Sequence, residues 1–327
     1  MIAMAEPSRS KVSQIARPRQ DQCSFDLGTV LSSVVTLSTK IPETALTAPI
    51  LGTERSGHGI LIDDSGLVVT IGYLITEAET VWLSGNGDWT VPAYIVGYDP
   101  ESGLGLVRAV QSLDLPSMDL GVSKFVSRGD SVIVAASGGI NYALSASVSD
   151  RQEFAGYWEY LVEDAIFTVP AHPNWGGAAL LDVHGTLVGV GSLLLQSETS
   201  ALENECNMFV PVDLLNKIID DLVRFGCPQS RPRPWLGAFV HDVGDQLMVS
   251  GVFKDCPAHR ADLRSGDLVI AVEDVSVTSL SELFRSVWAL GEAGVDVPLT
   301  VIRDSEKRQI TVKSVDRGRV LHQGTVH

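Results

Sequence analysis

The sequence contains no run of about 18 apolar residues, the length a membrane-spanning helix needs, so no transmembrane helix is expected. Its cysteines are only four, Cys23, Cys206, Cys227 and Cys256, with neither CxxC spacing nor the density of a disulfide scaffold. Metal or redox chemistry is therefore not expected, and no metal and no cofactor is assigned. Positive charge is also short. Lys and Arg number 24 against 40 Asp and Glu, a formal net charge of −16, which opposes binding to nucleic acid and to anionic membrane surfaces. No Gly-Lys-Ser/Thr follows Gly57 and Gly59, so a phosphate loop is not expected there. The N-terminal "MIAMAEPSRSKVSQIARPRQDQ" lacks the apolar centre of a secretory signal. It reads as a mobile tail over 1–25. A cytoplasmic location is the expectation, with a periplasmic one as the alternative if the N-terminus is trimmed or misassigned.

What is present, at 327 residues, allows two or three domains, each with its own core. From 26 to 205 the chain is built of short β-branched runs separated by turn residues, among them "SSVVTLS", "GILIDDSGLVVTIGYLI", "LGLVRAV", "WEYLVED" and "AALLDVHGTLVGVGSLLL". Many short strands at regular spacing predict an all-β barrel or sandwich. The period then changes. In "PVDLLNKIIDDLVRFG" Leu214, Leu215, Ile218, Ile219, Leu222 and Val223 fall at helical spacing and Gly226 supplies a stop. "CPQSRPRPW" has little to bury and reads as a linker, 227–234. A smaller α+β domain follows, with strands near "LGAFVHD", "QLMVSGVF", "DLVIAVED", "VPLTVIRD" and "RQITVKSV". Its one helix opens with Ser279 and Glu282 at capping-box spacing and buries Leu280, Leu283, Phe284, Val287 and Leu290.

Read in order, "SGHGILIDDSGLVVT", "GYDPESGLGLVRA", "HPNWGGAALLDVHGTLVGVGS", "PVDLLNKIIDDLVRFG", "RPWLG" and "CPAHRADLRSGDLVIAVEDVSVTSLSEL" resemble successive segments of the HtrA/Deg family of trypsin-like serine proteases, over about residues 30–315. The resemblance implies a mostly β fold: a chymotrypsin/trypsin-like double β-barrel over 26–226, a linker over 227–234, one PDZ domain over 235–317 and a C-terminal tail over 318–327.

The resemblance also marks the family's catalytic positions. Its His position falls on Tyr73 in "TIGYLI", its Asp position on Gly103 in "DPESGLGL" and its Ser position on Trp175 in "HPNWGG". A serine protease needs a hydroxyl nucleophile, an imidazole base and a carboxylate to orient it. A tyrosine of ordinary pKa about 10 is a poor base at neutral pH, glycine has no side chain, and an indole offers only an N–H donor. Pro173, where the family has an oxyanion-hole amide, has no N–H. No serine or cysteine lies between 151 and 191. His58, His172 and His184 are the histidines of the first domain, His172 reading as a polar loop residue, and Trp175 reads as partly buried.

The PDZ resemblance implies a carboxylate loop at Trp235, Leu236 and Gly237, a ligand-accepting strand at Ala238, Phe239 and Val240, and a pocket wall at Leu283 and Val287. The expectation is a non-enzyme: an HtrA-like pseudoprotease that binds protein or peptide C-termini as scaffold, chaperone or regulatory subunit. Two alternatives stay open, an active serine endopeptidase with a relocated site and a purely structural subunit of a larger complex. The family's trimer contact is an N-terminal aromatic, and Phe25 is the one aromatic among the first thirty residues.

Overall fold

The computed structural model describes residues 10–85, 87, 89–196 and 205–321. The chain divides into two compact units. Among the described residues, the first runs to Gln152 and from Asp164 to Pro228, and the second is made of Glu153–Glu163 and 229–321.

In the first unit the β-branched runs become β1 (Val34–Lys40), β2 (Glu54–Leu61), β3 (Leu67–Ile71), β4 (Thr80–Ser84), β5 (Thr90–Tyr98) and β6 (Leu104–Ala109). These close into one antiparallel barrel in the order β1-β2-β3-β6-β5-β4. β7 (Ser131–Ala135), β8 (Ala143–Gly156), β9 (Tyr160–Val169), β10 (Ala179–Leu181), β11 (Leu187–Gln196) and β12 (Glu205–Pro211) close a second, ordered β10-β11-β12-β9-β8-β7. Closure leaves neither sheet with an unpaired edge. Val35, Leu37, Ile60, Val68, Leu83 and Leu106 are buried in the first barrel, and Val134, Leu144, Ile166, Leu180, Val188 and Phe209 in the second. The helix Asp213–Phe225 follows with Leu215 and Leu222 buried, and Gly226, whose N–H bonds the Leu222 carbonyl, ends it.

Arg55 of β2 is a polar tie inside the first barrel. Its guanidinium donates to the carbonyls of Gly52 (3.2 Å), Tyr73 (2.7 Å) and Thr76 (3.0 Å) and to Thr47 Oγ1 (2.8 Å). Glu77 accepts from the Leu46 and Thr47 amides at 3.0 and 2.8 Å and from the Thr47 hydroxyl at 2.6 Å. Both side chains are buried, and burial pushes Arg55 down to about 10 while the Glu77 charge opposes the shift. Removing one partner leaves the other charge without compensation.

Two expectations are revised here. Residues 10–25, read as part of a mobile tail, fold onto the barrel: Val12 is buried in the second barrel's core and its N–H bonds the Asn141 carbonyl at 3.0 Å. Phe25 is half-buried over Gly185. The remainder of that tail call, 1–9, lies outside the described residues, as does most of the expected C-terminal tail. His172 is not a polar loop residue. It is fully buried, its Nδ1 accepts from the Asn174 amide at 3.0 Å, and Nε2 lies 3.0 Å from the Tyr142 carbonyl. That pattern fits a neutral ring protonated on Nε2. Desolvation depresses its pKa to about 4.

The second unit holds β13 (Pro234–Trp235), β14 (Ala238–Val243), β15 (Gln246–Val252), β16 (Leu268–Val272), β17 (Val275–Ser276), β18 (Asp296–Arg303), β19 (Glu306–Lys313) and β20 (Val315–Asp316). β14-β15-β16-β18-β19 form the main sheet, β17 pairs with β16, and β13 pairs with β20. The helix Leu280–Ala289 covers the core with Leu280, Leu283, Phe284 and Val287, while Leu290 is only partly buried. Ser279 Oγ accepts from the Glu282 amide, and the Glu282 carboxylate reaches back to the Thr278 amide (2.8 Å) and to the backbone of Ser279. The linker is less bare than its composition implied. The Pro232 carbonyl accepts from Ala293, and the Arg233 guanidinium stacks 4.1 Å above Trp288. Arg303 ties Asp267 at 2.6 and 2.7 Å and Asp262 at 3.1 Å.

Two outcomes follow from this packing. Arg55→Ala strips Glu77 of its cation and four oxygens of their donor, and should cost about 3–5 kcal/mol in urea unfolding; a loss below about 1 kcal/mol would show that the tie is solvated. His172 is held neutral with a folded pKa below the ordinary 6.5, so its stabilising contribution is complete above pH 6.5 and is lost as pH falls toward 4. In an NMR titration its ring carbons should stay unshifted through pH 6 and move only near pH 4; a midpoint near 6.5 would contradict the buried neutral imidazole.

Candidate functional site

In the first unit, Tyr73 stands in the single turn Gly72–Leu74 that follows β3, a turn pinned from below by the Arg55 bond to the Tyr73 carbonyl. Its ring is partly exposed but its hydroxyl is enclosed, and it donates to the Ser192 carbonyl at 3.1 Å. The Trp175 side chain bonds the same hydroxyl, and Trp175 is half-buried. Desolvation pushes the Tyr73 ionisation well above the ordinary tyrosine range. Gly103 lies alongside, its carbonyl accepting from the Gly72 amide at 2.6 Å. Thus the fold brings Tyr73, Gly103 and Trp175 into one neighbourhood, and Pro173 is exposed on the same loop.

That loop is held by close backbone approach. The His58 amide donates to the Gly176 carbonyl and the Gly177 amide to the Gly191 carbonyl, both at 2.8 Å. Gly177 has φ +74°, and a Cβ there would meet the His58 carbonyl at 1.9 Å, so no other residue fits. Asp99 accepts from the amides of Glu101 and Ser102, the turn expected of Asp-Pro-Glu. His58 is buried and accepts from the Ser137 amide through Nδ1, while His184 lies in the exposed turn closed by Asp182. Tyr73 thus presents a hydroxyl that donates to Ser192, Gly103 a backbone carbonyl and Trp175 an indole donor.

The second unit has the sharper constellation. The turn between β13 and β14 points three consecutive amides, those of Leu236, Gly237 and Ala238, at a single point. Gly237 permits this with φ +76°, where a Cβ would stand 2.9 Å from that of Cys256. Trp235 packs behind the turn on Phe253, which in turn packs on Phe239. At the focus sits a carboxylate of the same unit. Glu159 Oε1 accepts from Gly237 at 2.7 Å and Ala238 at 3.2 Å, and Oε2 from Leu236 at 2.9 Å. Beside it, the Val240 amide on the outer edge of β14 donates to the Tyr157 carbonyl at 3.0 Å, and the Tyr157 ring stacks on His241 at 4.6 Å. Leu283 and Val287 are buried in the adjoining core, which also takes in Leu161. Burial pushes the Glu159 carboxyl up to about 7, against the opposing pull of its three amides and of Arg317.

Sequence reasoning assigned nothing to Glu159. Its run "WEYLVED" carries only a strand signal, and the amides it meets come 77 positions later. A glutamate with φ +62° at a hairpin tip is visible only in the structure.

Comparison with known proteins adds the ancestry. Residues 57–190 match the family described as Trypsin-like peptidase domain, and 234–314 match the PDZ domain. "Protease Do-like 1, chloroplastic" of Arabidopsis thaliana is 29% identical over 287 residues, spanning 79% of this chain and 63% of that protein. "Probable periplasmic serine endoprotease DegP-like" of Chlamydia pneumoniae is 24% identical over 277 residues, spanning 78% of this chain and 54% of that protein. The chain therefore spans a little over half the length of most of the curated relatives it matches. The solved structure "HtrA-type protease AlgW with tripeptide" superposes with a TM-score of 0.52 at 20% identity, covering 91% of this chain and 97% of that one, which shows a shared fold.

These names correct two expectations. The chain was expected not to be an enzyme, yet its relatives are named serine endoproteases, which points to an enzyme. A cytoplasmic location was expected from a weak N-terminal signal, whereas relatives named periplasmic point to the periplasm. No helix among the described residues is long and apolar enough to cross a membrane. With its trypsin-like peptidase unit followed by a PDZ unit in the order of its relatives, the chain has the domain makeup of the HtrA-type proteases it resembles.

Proposed function

We propose that this chain uses its PDZ unit to capture the carboxyl terminus of a protein or peptide, and that this recognition underlies a scaffold, chaperone or regulatory role. One observation carries the reading: the amides of Leu236, Gly237 and Ala238 converge on a carboxylate with bonds of 2.7–3.2 Å. Charge-assisted bonds to an anion are about twice as strong as neutral ones, and three on one group select a carboxylate over an amide. β14 stands at the edge of its sheet and can pair with an added strand. Leu283 and Val287 line the apolar core beside it, the place for a terminal apolar side chain.

The relatives' names bring endoproteolysis into the reading of the whole protein. The net charge of −16 favours partners that are not themselves polyanions. A second copy of the chain, as in a trimer, shares that charge and would need contacts that offset it; Phe25, the aromatic for that contact, is half-buried over Gly185 of its own chain.

The test uses full-length protein and a pool of hexapeptides ending in Val, Leu or Ile, as free acids and as amides. Free acids should bind at least about tenfold more tightly than their amides, since one charged hydrogen bond is worth that much. Gly237→Pro, which deletes the central amide, should erase the preference, and Trp175→Ala should leave it intact. Equal binding of acids and amides would refute carboxylate recognition.

A further inference from the structure

The carboxylate in the PDZ cradle is the chain's own, and that has a consequence beyond recognition itself. Residues 153–163, the tip of the β8–β9 hairpin, belong to the second unit although the chain on either side belongs to the first. Their contacts reproduce the elements a bound peptide would use. Glu159 fills the three-amide turn. The Tyr157 carbonyl takes the one outward strand bond of Val240. Leu161 is buried in the same apolar cluster as Leu283 and Val287, with Ala155 packed against it. Flanking ties hold the tip down: Arg285 bonds the Glu153 carboxylate, and Arg317 Nη1 reaches the Trp158 carbonyl at 3.4 Å.

We propose that the 153–163 hairpin is a tethered ligand of the PDZ groove, so that an external C-terminus binds only by expelling Glu159 from the amides of Leu236, Gly237 and Ala238. This inference rests on the carboxylate-recognition reading. It goes further in two respects. The groove is self-occupied, which makes binding competitive with a segment at an effective concentration of millimolar order. The self-ligand also specifies the external one: a free carboxylate, with an aromatic residue two positions before it to replace Tyr157 on His241. A weakly binding carboxylate-ended peptide is excluded, and a partner is admitted only when its own contacts outweigh those of the hairpin.

The test is made on the full-length protein with two variants, Glu159→Ala and Tyr157→Ala, and two measurements. Hydrogen exchange without any ligand should find the amides of Leu236, Gly237 and Ala238 slow in the parent and at least about tenfold faster in Glu159→Ala. Amides of the β16–β18 ladder, exchanging at the parent rate, show that the fold is kept. Binding is then measured with hexapeptide acids carrying Tyr third from the end and Val, Leu or Ile last, against the same pool amidated. Affinity for the acids should rise at least tenfold in Glu159→Ala and several-fold in Tyr157→Ala. Equal exchange at 236–238, or equal acid affinity in parent and variants, overturns the tethered ligand while leaving carboxylate recognition standing. Fast exchange in Glu159→Ala with no preference of any variant for acids over amides overturns carboxylate recognition itself, and the competitor role with it.

Discussion

Three backbone amides closing on one carboxylate set the arrangement at one edge of the second unit. Backbone N–H groups in a turn need a partner when they are enclosed, and a cluster of three pointing one way is best satisfied by a charge. Here Leu236, Gly237 and Ala238 find that charge on Glu159. The rest of the arrangement around them follows from this. Gly237 has to remain glycine, Trp235 and Phe253 back the turn, the edge of β14 turns its Val240 amide to Tyr157, and the hairpin tip 153–163 shares the second unit's core through Leu161.

Much of the fold is legible in the sequence because it depends on local pattern. The β-branched runs became strands of two closed barrels, the 3.6-residue spacing of Leu215 and Leu222 became the helix Asp213–Phe225, and Ser279 with Glu282 marked the start of the helix Leu280–Ala289. What was not legible depends on partners far away in sequence. Val12 sits in a polar segment and gives no sign that Asn141 will bind it. His172 looks like a loop histidine until Tyr142 and Asn174 enclose it. Arg233 looks like linker until Trp288 lies beneath it. For the site the division is the same: the Leu236–Ala238 turn can be anticipated from Trp-Leu-Gly-Ala, whereas Glu159 sits in an ordinary strand-like run.

The two units use enclosure differently. Around Tyr73 and Trp175, side chains satisfy one another and the backbone, the tyrosine hydroxyl bonded to both Ser192 and Trp175, so the pair is settled. Around Glu159 the burial of a charge is compensated by amides that the rest of the chain does not need for secondary structure. A settled pair is a poor place for an incoming group, and a compensated charge is a replaceable one.

The discontinuity of the second unit also bears on how the chain is made. Synthesis proceeds from the N-terminus at about 5–20 residues per second, and the amides that receive Glu159 follow it by 77 positions. The hairpin tip therefore leaves the ribosome some 4–15 seconds before its cradle exists. During that interval Tyr157, Trp158 and Leu161 have no docking surface, and a chain halted before residue 236 would display them permanently. An unfinished polypeptide thus leaves in water an aromatic, acidic tip that the finished one covers in part.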